Sequence, residues 1–168
     1  YEVTKNNGFV NVGISHDTAE FAVESIKQWW KNIGKRNYPK ARELLICSDS
    51  GGSNANRSRL WKFYLQKFAN KIGLKITVCH FPPGTSKWNK IEHKMFSFIS
   101  MNWKGKPLRS YEIILNLIEG TKTKKGLKIK AKIDRNIYEI KKKVSDEDFK
   151  KINLVKHKIN PQWNYTIC

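Results

Sequence analysis

Two carboxylates stand apart in this chain. Asp49 ends an apolar run, Leu44-Leu45-Ile46-Cys47, and Ser50-Gly51-Gly52-Ser53 follows it directly. Glu92 lies in the stretch Cys79 to His93, beyond a Pro82-Pro83-Gly84 break and among Lys87, Lys90 and Lys94. Carboxylate oxygens are the ligands Mg²⁺ prefers. Two such ions about 3.5–4 Å apart can activate an attacking oxygen and stabilise a leaving one. The chain carries 33 Lys and Arg against 14 Asp and Glu, a formal net charge of +19. That surplus favours a polyanionic partner, because each neutralised phosphate releases counterions. Metal-dependent phosphodiester chemistry is the reading these features suggest together. Taken singly, each has a plainer one: Asp49 can cap its loop, Glu92 can pair with Lys87 or Lys90, and a basic surface can be inert. Glu92 has Met95, Phe96 and Ile99 at i+3, i+4 and i+7, a partly apolar helical face where an acid is costly unless paired or metal-bound.

Around these acids are groups suited to nucleic acid. Lys87, Trp88, Asn89, Lys90 and Lys94 put cations beside a stackable ring. The competing role for Trp88 is core packing. Residues 121–143 hold ten Lys or Arg against two acids, and within them Lys128, Lys130 and Lys132 alternate with Leu127, Ile129, Ala131 and Ile133. That pattern predicts a strand with one apolar face and one lysine face, which either tracks phosphates or is merely solvated. Other candidates are weaker. Asp17 with Glu20 fits a helix capping box, and Glu20 and Glu24 with Lys27, Gln28 and Lys31 read as a solvated helix face. His16, His80, His93 and His157 lack metal-ligand spacing, with loop or core the default role for His80 and His93. No Gly-Lys-Ser/Thr follows Gly51-Gly52, so no nucleotide loop is indicated. Cys47, Cys79 and Cys168 are an odd count without C-x-x-C spacing, which indicates neither a disulfide framework nor a zinc site. Cys47 and Cys79 are expected as buried strand thiols in a reducing cytoplasm.

The elements that must position these residues follow from the hydrophobic pattern. Residues 1–15 predict a hairpin turning at Asn6-Asn7-Gly8. A helix opens at Asp17 and runs to Gly34, and residues 43–48 form a strand that delivers Asp49. A second helix runs from about Asn54 to Ile72 and stops at Gly73. Strand 75–80 follows, then a helix carrying Glu92 that ends near Trp103 to Gly105. Alternating strands and helices imply parallel strands with right-handed crossovers. A chain of 168 residues fits one domain, here a core over 1–105 with a basic, β-containing extension over 106–168. No run of about 18 apolar residues exists to span a bilayer. The N-terminus shows neither a signal-peptide core nor an initiator Met, so a piece of a longer chain is expected.

The segments Gly13-Ile14, His16 to Ile26, Asp49-x-Gly-Gly-Ser-Asn54, Cys79 to His93 and Trp163-Asn164-Tyr165-Thr166-Ile167 resemble the ISAzo-type bacterial insertion-sequence DDE transposases, in order along essentially the whole chain. The resemblance implies an RNase H-like (ribonuclease H/integrase superfamily) core in which Asp, Asp and Glu bind two Mg²⁺ or Mn²⁺ ions. Those ions would drive cleavage at the element ends and strand transfer into target DNA. On matching positions Asp49 would be the second acid and Glu92 the third, with 42 residues between them. Asp17 does not stand in for the first acid, because the family carries that Asp-Thr-Ala-Glu helix start as well as its first catalytic Asp. The first acid belongs to a central strand upstream of this sequence, so the 168 residues alone are expected to be inactive. Partners implied are transposon-end and target DNA, with homo-oligomers on the DNA, in the bacterial cytoplasm at the nucleoid. The rivals are a DNA-binding remnant working by charge alone and an RNase H-type nuclease that hydrolyses without joining ends.

Overall fold

A computed structural model describes the backbone of residues 1–168 and every side chain except that of Ser86. The chain divides into two compact units, Tyr1–Ile14 with Ser86–Asn136, and Ser15–Thr85 with Ile137–Cys168. The fold is mixed α/β, with two sheets ordered β1-β4 and β2-β3-β6-β5.

The first unit is built on β1 (Asn7–Gly13) and β4 (Lys128–Asp134), paired in parallel with Phe9 opposite Lys130 and Val10 opposite Ala131. The predicted hairpin at the N-terminus shrinks to one bridge, Glu2 to Asn7, because the turn spans residues 3–6, ending at Asn6, whose φ of 53° helps to reverse the chain. The β4 alternation is as expected, with the strand itself beginning one residue later, at Lys128, and Leu127 buried just ahead of it. On the apolar face Val10, Val12, Ile129 and Ala131 join Met95, Ile99 and Ile118 in a core. The helical residues come from a π turn (Glu92–Phe96), α4 (Ser97–Trp103) and α5 (Tyr111–Glu119). Gly8 gives room there, since a Cβ would press on Met95 Sδ and make that side chain shift. Glu119 Oε1 accepts from the Ala131 amide at 2.9 Å and so caps part of the β4 edge.

The second unit has β2 (Glu43–Asp49) parallel to β3 (Lys75–Phe81), with β6 (Asn164–Ile167) antiparallel to β3 and β5 (Leu154–Lys156) outside it. One sheet face, bearing Leu44, Ile46, Ile76, Val78, Tyr165 and Ile167, is sealed by α1 (Ala19–Trp29) and α3 (Arg59–Ile72) through Val23, Trp61, Leu65 and Phe68. Each such side chain contributes about 1.5–3 kcal/mol by burial. Thr18, rather than Asp17, caps α1 by accepting from the Phe21 amide at 3.2 Å. The helix also outlasts Gly34, passing through a π turn (Trp30–Gly34) into α2 (Lys35–Asn37). A Gly34 Cβ would press on the Trp30 and Trp29 rings, so the glycine lets this turn close against them. Helix α3 starts at the Ser58 cap, later than the pattern suggested, because Gly52–Asn54 is a 3₁₀ turn; it ends at Gly73 with φ 67°. A short α6 (Asp146–Lys150) precedes β5. The face of Leu45, Cys47, Thr77 and Val155 has no such cover: Leu45 is 62% and Val155 54% exposed.

Candidate functional site

Asp49 is the last residue of β2, half-buried, opposite Phe81 at the carboxyl end of the parallel β2–β3 pair. Ligand crevices of α/β sheets open at such strand ends. A chain of buried polar groups fixes that end. Trp61 Nε1 donates to the Tyr165 hydroxyl at 2.9 Å, and that hydroxyl lies 3.1 Å from His80 Nε2. His80 Nδ1 in turn lies 3.1 Å from the Asp49 carbonyl and 3.2 Å from Ser48 Oγ. A carbonyl can only accept, so Nδ1 carries a proton, and in the neutral ring Nε2 accepts from the Tyr165 hydroxyl. Burial lowers the His80 pKa and pushes the Tyr165 phenol far above its usual range, which suits both groups to these roles. Ser50 Oγ donates to the Phe81 carbonyl, tying the loop after Asp49 to β3. An open cleft of about 350 Å³ lies beside that loop, between Thr18, Gly52, Ser53, Ser58, Lys141 and Lys142. Lys142 is engaged there by Glu20 at 2.8 Å.

Glu92 belongs to the other unit and is exposed, not set on an apolar face. The reason is the π turn it begins. The wider turn rotates the helix register, so Met95 and Ile99 face the core while Glu92 points to solvent. The preceding 3₁₀ turn, Ser86–Trp88, is braced by His93 Nε2 donating to the Lys87 carbonyl at 2.7 Å. Lys87, Lys90 and Lys94 are exposed, and Asn89 is half-buried with its Oδ1 3.4 Å from the Ile91 amide. Trp88 is 58% exposed, which removes core packing as its role. Lys128, Lys130 and Lys132 are exposed on the β4 face opposite the core, beside Asn7, Phe9 and Asn11 of β1.

His80, Tyr165, Trp61 and Ser48 escaped sequence reasoning as a group. Only the place of Ser48 and His80 beside the end of adjacent strands hinted at it; Tyr165 is 85 residues from His80. The thiols also differ from expectation. Cys47 is exposed and Cys79 half-buried, since both point to the uncovered sheet face. Partial desolvation raises the pKa of both. Among the described residues, no three of His, Cys, Asp and Glu gather into a group able to hold a metal ion. The carboxylates of Asp49 and of Glu92 each offer the hard oxygen donors that Mg²⁺ takes.

Among the described residues, no helix is long and apolar enough to cross a membrane. A protein family described as Rhodopirellula transposase DDE domain matches residues 1–168. No curated protein and no solved structure matches the chain.

Proposed function

The chain belongs to the ISAzo-type transposase DDE-domain family, and from that premise we propose that Asp49 and Glu92 are two of the three acids that ligate catalytic metal ions in DNA strand cleavage and strand transfer at insertion-sequence ends. The observation that carries the reading is the placement of Asp49, at a parallel strand end whose carbonyl is held by a buried His80–Tyr165–Trp61 relay. A framework that fixed at one acid suits a group that must not move during phosphoryl transfer. Two divalent ions, Mg²⁺ or Mn²⁺, supply activation of the attacking oxygen and stabilisation of the leaving one when bound. Lys87, Trp88, Asn89, Lys90 and Lys94 hold a DNA strand beside Glu92, and Lys128, Lys130 and Lys132 contact phosphates without reading sequence. The fold is read as an RNase H-like core whose first strand, with its acid, is not among residues 1–168, and the transposase as a homo-oligomer on its DNA.

A second reading applies to these 168 residues by themselves: DNA binding without cleavage. The formal net charge of +19 favours it, because cations alone can hold a polyanion by releasing its counterions. The deciding experiment assays end-DNA nicking and 3′-end joining in Mg²⁺ or Mn²⁺, by this chain and by a longer protein that adds the upstream acid. Joining by the longer protein, lost in Asp49→Ala and Glu92→Ala, supports the assignment. Activity that survives both substitutions overturns it, and hydrolysis without joining points to a nuclease.

A further inference from the structure

Only three cysteines occur in the chain, and two of them face each other across adjacent strands: Cys47 of β2 and Cys79 of β3 are Cα partners in the parallel register. Neighbouring strands lie about 4.7–4.9 Å apart, inside the roughly 4.4–6.8 Å Cα window of disulfides. Both thiols are free, Cys47 exposed and Cys79 half-buried. Their side chains share the sheet face that α1 and α3 leave open, where Leu45 is 62% exposed, so a small solute reaches them. We propose that Cys47 and Cys79 form an oxidation site, at which a peroxide-class oxidant makes a reversible cross-strand disulfide that clamps β2 to β3 two residues before Asp49.

The exposed partner reacts first. The Cys47 thiolate attacks one peroxide oxygen, the O–O bond breaks, and Cys47 becomes a sulfenic acid as one water leaves. The Cys79 thiolate then attacks the Cys47 sulfur, forming the S–S bond and expelling the sulfenic oxygen as a second water. Two electrons pass from the thiols to the peroxide, and the two thiol protons end in the two waters. The bridge would lie on the uncovered sheet face, where a thiol reductant reaches it and opens it again. A pair on a covered face, or offset by one residue, would offer no such chemistry.

The test treats the full chain, folded, with hydrogen peroxide, alkylates remaining thiols, and maps the digest by mass spectrometry. The expected product is a Cys47–Cys79 linked peptide pair that dithiothreitol separates. It should be absent from Cys47→Ser and from Cys79→Ser and retained in Cys168→Ser. Sulfinic or sulfonic acid on Cys47 with Cys79 still alkylated would overturn the proposal, as would links formed only through Cys168. Circular dichroism of each variant separates lost pairing from lost folding, and the wild-type digest decides even where a serine variant unfolds. The outcome is independent of the catalytic reading: the disulfide needs no DNA and no metal, and failed cleavage assays leave it standing.

Discussion

The two acids sit in opposite kinds of surroundings. Asp49 ends a strand whose neighbours are a sealed core and a buried polar relay. Glu92 begins a π turn in solvent, beside an exposed tryptophan and lysines. The cost of placing the first is met inside the fold, where every buried polar group must find a partner. The second stands on the solvent side of a π turn whose other side carries Met95 into a core. The relay and core residues behind Asp49 should therefore govern folding, and the exposed residues beside Glu92 should govern DNA contact.

Several substitutions break or sharpen that contrast. The largest effect expected is on chemistry: Asp49→Ala or Glu92→Ala in a transposase containing this domain lowers strand transfer at least ~10³-fold, the several kcal/mol that metal positioning supplies. Retained DNA binding by Glu92→Ala, read by fluorescence anisotropy, would show that the loss is catalytic. Next, Phe68→Ala, at a residue 1% exposed, costs about 3–5 kcal/mol in urea unfolding, against at most about 0.5 kcal/mol for Trp88→Ala. Equal costs would collapse the comparison. Tyr165→Phe removes the hydroxyl between Trp61 and His80 and should cost about 1–3 kcal/mol with an unchanged urea m-value. Replacing Lys128, Lys130 and Lys132 by Gln should leave the urea midpoint in place while reducing the salt dependence of duplex binding by about 0.9 in log–log slope per lost phosphate contact. A slope that does not move would remove the lysine face from the DNA interface. The smallest effect is on pH. His80 has a folded pKa below its ordinary 6.5, so the unfolded chain binds the extra proton. Stability from this group is complete above that value and declines as pH falls below it. Urea midpoints of the metal-free protein from pH 8 to 5 measure the decline, which His80→Asn should flatten.

Much of the scaffold was legible from periodicity, because β2, β3, β4, α3 and the helix to Trp103 each bury one face of a regular pattern. Boundaries were less so. Thr18 displaced Asp17 as cap, and the 3₁₀ turn at Gly52 delayed α3, both local backbone choices that a hydrophobic pattern does not encode. The pairing of β1 with β4 could not be read either, since strand partners 121 residues apart leave no trace in a single sequence. At the site, Asp49 was correctly placed at a strand end, whereas the exposure of Glu92 was misjudged. Counting i+3 and i+4 neighbours assumes 3.6 residues per turn, and the π turn at Glu92–Phe96 breaks that assumption. The His80 relay was hidden for the same reason as β1–β4: its members meet only after folding.

Strand β2 closes the order β2-β3-β6-β5 on one side, and this has a consequence for the protein as a colloid. An outer strand of seven residues with Leu45 in solvent is a template on which another chain can add. What holds copies apart is the +19 charge, a repulsion that reaches only about 10 Å in 0.1 M salt and about 3 Å in 1 M. The salt that strips a basic protein from nucleic acid during purification also withdraws this protection. Turbidity of nucleic-acid-free protein should therefore rise with ionic strength, the reverse of ordinary salting-in, and Leu45→Lys should suppress it.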